Sequence, residues 1–125
     1  VAKFLENATV SAGGYVNTES ILHSNVTAST EIQVTGKRGF ITGGHVRAGQ
    51  RIEVKTLGAT LGAPTVVEVG LQMEFNPQEK AAVIVKGEVY PGTTIIIGDS
   101  SMQVKNTYQY CRFERIDGDV KATAI

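Results

Sequence analysis

Tryptophan is missing from this sequence, and cysteine occurs once, at Cys111. A single thiol excludes an intrachain disulfide and points to a reducing, intracellular compartment. Charge imbalance is missing as well: 12 Lys plus Arg face 12 Asp plus Glu. No basic field therefore argues for nucleic acid or an anionic membrane as partner. No Cys/His spacing suits zinc, and there is no aromatic RNA-binding motif. No run approaches the roughly 18 to 20 apolar residues of a membrane helix. The longest near the end, Thr93-Thr94-Ile95-Ile96-Ile97, has the length of a strand. No signal peptide is visible. The chain starts at Val1 inside a repeat, which reads as a piece of something longer. What is present is 42% hydrophobic and 19% charged residues over 125 positions, enough for one domain with a core and too few for two.

Self-similarity outranks local secondary-structure signals, and here it decides the architecture. Val10-Ser11-Ala12, Val26-Thr27-Ala28 and Val46-Arg47-Ala48 are copies of one Val-x-Ala anchor, 16 and then 20 residues apart. Flanking positions follow in step. Leu5, Ile21 or Ile41 lies five residues before each Val, a small Ala8, Ser24 or Gly44 lies two before, and Val16, Ile32 or Ile52 lies six after. Val89 repeats the rule with Ile84, Gly87 and Ile95, while Thr65, Val67 and Val69 form a weaker copy between.

Val-x-Ala and Ile-x-Val are period-2 patterns, apolar on one face of a strand and polar on the other. Glycines at Gly13-Gly14, Gly36, Gly39, Gly43-Gly44 and Gly49 punctuate them and are expected to supply positive φ at corners. Coils stacked about 4.8 Å apart would bury continuous ladders, expected as Val10-Val26-Val46-Val67-Val89 and Val16-Ile32-Ile52. Irregular coil lengths disfavour the hexapeptide left-handed helix. The expected fold is all-β, a right-handed parallel β-helix (β-solenoid) of about five coils over residues 1–98. Residues 71–80 interrupt it as a loop with Pro77 as breaker. Residues 99–125 are expected to form antiparallel capping strands, with Asp117-Gly118 as a hairpin turn.

Several of these segments resemble a known family. Lys37-Arg38-Gly39-Phe40-Ile41-Thr42-Gly43-Gly44-His45-Val46-Arg47-Ala48-Gly49, then Leu57-Gly58 and Thr65-x-Val67-x-Val69-Gly70, is similar to the signature of the flagellar assembly protein A (FapA) family. Ile21 to Ala28 resembles its preceding repeat, and Val89-Tyr90-Pro91-Gly92-Thr93-Thr94-Ile95-x-Ile97-Gly98 resembles a segment near its C-terminus. The likeness covers most of residues 3–98. It implies a bacterial cytoplasmic protein with a central β-helix, tied to flagellar assembly or its regulation, with no enzymatic activity. It also implies a long helical hairpin where only about ten residues, Leu71 to Lys80, are found, and a separate N-terminal domain that this chain does not show.

No catalytic, cofactor-binding or metal-ligating constellation emerges from the residues. His23 and His45 stand three and one before their anchors, so they share no ladder and no metal. Glycoside chemistry needs two carboxylates across a groove, whereas Glu53 and Glu68 fall on neighbouring coils and Asp117 and Asp119 in a turn. Of tyrosines the coils offer only Tyr15 and Tyr90 as platforms for polysaccharide. Gly43-Gly44 opens no helix and is no phosphate loop. Lys37, Arg38, Arg47, Arg51 and Lys55 form the one basic concentration. Stacking should spread it around a coil as a solvated face; as a contact it would attract an acidic protein surface. Tyr90 is expected outward in line with Ser11, Thr27 and Arg47, and Ile96 outward in line with Asn17, Gln33 and Glu53. The C-terminal strands with Tyr108 and Tyr110 are expected to cover both; otherwise they form a patch for self-association or a partner. The partner-binding candidates are therefore Lys37, Arg38, Arg47, Arg51, Tyr90 and Ile96. The expected role is a non-enzymatic scaffold contacting a flagellar or regulatory protein, without cofactor, nucleic acid or membrane insertion. The alternatives are a bactofilin-like subunit polymerising end to end and an enzyme acting on polysaccharide.

Overall fold

Alternating apolar and polar residues give each strand one face to bury, and stacking is the way so short a strand can bury it. The computed structural model describes residues 4–36, 39–59, 64–70, 81–98, 100–116 and 118–125, which form one sheet of 14 strands. In chain order these are β1 (Phe4–Glu6), β2 (Thr9–Ala12), β3 (Val16–Thr18), β4 (Ser20–Ala28), β5 (Glu31–Val34), β6 (Phe40–Ala48) and β7 (Arg51–Val54). They continue as β8 (Thr56–Leu57), β9 (Thr65–Val69), β10 (Ala82–Val89), β11 (Thr93–Ile97), β12 (Ser100–Gln103), β13 (Tyr108–Ile116) and β14 (Asp119–Ala124).

The strands from β1 to β11 pair in parallel and build three ladders. The first runs through Leu5, Ile21, Ile41, Leu57 and Val89. The second runs through Val10, Val26, Val46, Val67 and Ile95, with Ala12, Ala28 and Ala48 beside it. The third runs through Val16, Ile32, Ile52 and Val83. From Ile21, Val26 and Ile32 onward every member of these columns has an exposure of 0%. Each such Val, Ile or Leu contributes about 1.5–3 kcal/mol by leaving water.

The expected Val10-Val26-Val46-Val67 column is therefore found, but its last member is not Val89. Ile95 pairs with Val67, and Val89 pairs with Leu57 on the first ladder. Likewise Ile52 is followed by Val83, so Ile84 faces outward opposite Glu53. The physical reason is chain length across the corners: residues inserted after Gly58 and Gly70 displace the last copy without changing its local pattern.

Corners explain several residues that carry no chemistry. Between the first and second ladders the chain turns through left-handed backbone at Asn7 (φ 50°), His23 (φ 46°), Gly43 (φ 73°) and Gly58 (φ 87°). His23 thus marks a corner, and its ring packs on Gly43, where an added Cβ would lie 2.2 Å from Nδ1. Buried hydroxyls tie this corner together. Ser24 Oγ accepts from the Ala8 N–H at 3.1 Å and donates to the Leu22 carbonyl at 2.9 Å, and Thr65 Oγ1 accepts from the Gly43 N–H at 2.9 Å. Of the glycines expected to supply positive φ, Gly39, Gly43 and Gly44 have it, but Gly13, Gly14, Gly36 and Gly49 do not. Gly49 is needed instead for close approach, since a Cβ there would lie 2.0 Å from the Ser29 carbonyl oxygen.

At the corner between the second and third ladders, the Gly70 N–H donates to Gly49 O and the Ala82 N–H to Gln50 O, each at 3.0 Å. Gly70 and Ala82 thus sit over adjacent residues of the preceding coil. Residues 71–80, expected as a loop, join those two points and lie outside the described residues. Beyond Ile97 the pairing changes sense. β12 runs antiparallel to β11, β13 antiparallel to β10 with a bulge between Val85 and Glu88, and β14 antiparallel to β13. Ile116 pairs with Asp119 across the expected hairpin turn, where Gly118 has φ 84°; Asp117 lies outside the described residues. Phe113 and Cys111 join the core from β13.

Candidate functional site

The outward side of the second ladder is one column, Ser11, Thr27, Arg47, Glu68 and Ile96 in stacking order, polar up to Glu68 and apolar at its last member. Ile96, not Tyr90, ends that column, because the last coil is shifted as described. Arg47 is exposed, and the Glu68 carboxylate beside it turns to His45, whose Nε2 lies 3.3 Å from Oε1. With both side chains partly in water, that pair is worth no more than about 1 kcal/mol. Arg51 begins β7 between Glu31 and Ala82 on the third ladder, and Lys55 follows at the next corner. The basic residues that can be placed are thus spread around the stack, as expected; Lys37 and Arg38 lie outside the described residues.

Tyr90 follows Val89 at the first corner, where its N–H donates to Leu57 O at 2.9 Å. Its hydroxyl donates to the Glu88 carboxylate. That hydrogen bond, with some desolvation and the Glu88 charge, raises the phenol above its ordinary 10.0. Tyr90 and Ile96 are both half-buried. The C-terminal strands meet the coils edge to edge: Ser101 pairs with Ile96 and Tyr108 with Val89. The Tyr108 ring turns to the core, edge-on to Phe113 at 5.9 Å, while Tyr110 stays 63% exposed. Cys111 on β13 is buried, and burial pushes its thiol up to about 11, away from the reactive thiolate.

Glu53 and Glu68 do not face each other across a groove. Glu53 Oε1 holds Lys86 Nζ at 2.7 Å on the third ladder, while Glu68 holds His45 on the second. Among the described residues no group of three His, Cys, Asp or Glu is placed to hold a metal ion, and no helix is long and apolar enough to cross a membrane.

The most distinctive surface lies on the outward side of the first ladder. There Phe4, Ser20 and Phe40 stack in one column, with Leu22 in the next. Ser20 is small, so the two rings stand about two strand spacings (~9.6 Å) apart with a gap between them. The gap is a notch of about 380 Å³ lined by Phe4, Leu5, Ser20, Leu22 and Phe40, with Glu6 and Glu19 also on it. Phe4 is 67% exposed. Sequence reasoning missed this notch, although its signal was present. Once Leu5, Ile21 and Ile41 are aligned as inward residues, Phe4, Ser20 and Phe40 fall one before each and point outward.

The N-terminal edge is also unlike the rest of the stack. Among the described residues β1, β2 and β3 each pair on one side, with β4 or β5. Leu5, Val10, Ala12 and Val16 are accordingly half-buried, where their partners one layer on are fully buried.

A family model described as the Flagellar Assembly Protein A beta solenoid domain (FapA) matches residues 1–80. The chain belongs to this family. No curated protein and no solved structure matches it. The FapA match covers β1 to β9, both Phe residues of the notch and the segment after Gly70, and it ends just before β10. Residues 89–98, which also resembled the family, fall beyond the matched span.

Proposed function

We propose that this FapA solenoid is a non-enzymatic scaffold that works in bacterial flagellar assembly, or its regulation, through contacts with another protein in the cytoplasm. The family match over residues 1–80 carries the reading. On this reading the parallel ladders are a right-handed β-helix of about five coils over residues 1–98, closed by strands in 99–125, with neither cofactor nor nucleic acid in its work. The surface supports contact rather than catalysis: Phe4, Leu22 and Phe40 line one apolar notch, while Glu53 and Glu68 are held by Lys86 and His45 on separate ladders.

The bactofilin-like alternative requires the two ends to stack on each other. Antiparallel β12 and β13 favour the scaffold reading, because they already occupy the edges of β11 and β10 on which a further coil would stack. The deciding experiment removes the codons of the solenoid from the chromosomal gene of a flagellated host and counts flagella by electron microscopy. Loss or misplacement of flagella is expected. Normal flagellation, filaments of the purified chain at micromolar concentration, or polysaccharide cleavage by it would overturn the proposal.

A further inference from the structure

At the notch on the first ladder the outward side of the coils is apolar in depth. Phe4 and Phe40 wall it, Ser20 is its floor at 5% exposure, and Leu22 flanks it. Its rim, however, is acidic. Glu6 and Glu19 are both exposed, and neither forms an ion pair with a described residue. The stem of Glu19 is held in place by Gly36, where an added Cβ would lie 2.8 Å from its Cγ. Beside the notch runs β1, whose backbone pairs only with β4 among the described strands.

These features select one kind of occupant. An apolar gap between two rings takes a large aliphatic or aromatic side chain, and desolvated pockets of this kind anchor interfaces. Two exposed carboxylates at the rim, without an ion-pair partner among the described residues, favour Lys or Arg on either side of that anchor and disfavour Asp or Glu. We infer that the notch is a docking site for a short peptide segment of a partner protein, with one apolar anchor residue flanked by Lys or Arg. This deepens the scaffold reading and rests on it, since it names the surface and the chemistry of the contact.

The test uses the full chain and fluorescein-labelled short peptides with a central Leu or Phe, flanked by Lys and Arg, by Asp and Glu, or by Ser and Gly. Fluorescence anisotropy should show the Lys/Arg set binding at least about tenfold tighter than the Asp/Glu set. Leu22→Ser should weaken every set. Glu6→Lys with Glu19→Lys should reverse the charge preference; both positions are exposed, so this variant answers the question even if Leu22→Ser fails to fold. Absence of binding, or equal binding of the Lys/Arg and Asp/Glu sets, overturns the inference. So does dimerisation in sedimentation velocity that Leu22→Ser abolishes, because a second copy then fills the notch. The scaffold reading fails separately. If flagella are lost on deletion of the solenoid but normal in a strain carrying Glu6→Lys with Glu19→Lys, the scaffold stands and the notch does not.

Discussion

Replacing Val46 by aspartate puts a carboxyl group at the centre of the second ladder, between Val26 and Val67, where exposure is 0%. Losing the buried isopropyl group costs about 1.5–3 kcal/mol. Burying a neutral carboxyl without a partner costs about 1–3 kcal/mol more. The charge adds a pH-dependent part. In the stack the carboxyl is held protonated, so its folded pKa is raised above the unfolded value of about 3.9. Below that value both states are protonated and no charge penalty applies. As pH rises the unfolded chain ionises first, and stability falls by about 1.4 kcal/mol per pH unit until the folded pKa is reached. Between about pH 4 and 7 this adds up to ~4 kcal/mol, against a total domain stability of about 5–15 kcal/mol. Urea unfolding followed by far-UV circular dichroism should show the variant weakened at about pH 4.5 and near collapse at about pH 7.5. Val46→Asn serves as the uncharged control and should lose a similar amount at both values without the added slope. Ser11→Asp, on the exposed outward column, should stay within about 0.5 kcal/mol. A Val46→Asp protein within about 1 kcal/mol of the parent at neutral pH would refute the inward register of the ladder.

Other expectations follow from the corners and the cap. Gly44→Ala must accommodate a φ of 77° and a Cβ 2.2 Å from the Ser24 carbonyl oxygen, so its urea midpoint should drop by the equivalent of about 2 kcal/mol or more. Gly13→Ala, with nothing within 4 Å of its Cβ, should be neutral or slightly stabilising; equal effects of the two would refute the corner geometry. Cys111, whose buried thiol is pushed up to about 11, should react with iodoacetamide far more slowly at mild alkaline pH in the folded chain than in concentrated urea. Raising pH above the thiol's ordinary 9.0 toward 11 should also weaken the fold, because the unfolded thiol ionises there first. Glu88→Gln should bring the Tyr90 phenol back down toward its ordinary value in ultraviolet titration; an unchanged midpoint would show that the Glu88 contact does not set it.

Most of the stack was legible in the sequence, for a reason seen in its residues. The columns Leu5-Ile21-Ile41, Val10-Val26-Val46-Val67 and Val16-Ile32-Ile52 pair as the Val-x-Ala repeat implies. Like residues stacked one strand spacing apart must share size and polarity, so the pattern is written directly into the repeat. The last coil was misplaced because every strand offers apolar-x-apolar, and only the residue count across a corner says which ladder it joins. A better guide was available. Thr65-x-Val67-x-Val69 and Thr93-x-Ile95-x-Ile97 share a leading Thr at the position of Ser24 and Gly44, and these pair in the structure. The notch was not read, because a period-2 pattern separates inside from outside but does not show that a small residue between two large outward ones leaves a gap.

The two ends of the stack bear on how such a scaffold meets a partner. At the N-terminal edge, the backbone of β1, β2 and β3 and the apolar columns beneath them are still arranged as a coil that accepts another strand layer in parallel. At the far end β12 and β13 have taken the edges of β11 and β10 in the antiparallel sense. A further coil stacked on that end would have to displace these strands to repeat the coil-on-coil register that buries Val26, Val46 and Val67. Lateral contact has no such obstacle, since the outward columns are continuous along the stack and need no strand to be displaced. The notch lies on such a column, so the contact we propose is lateral, with the buried ladders holding that side of the coils rigid.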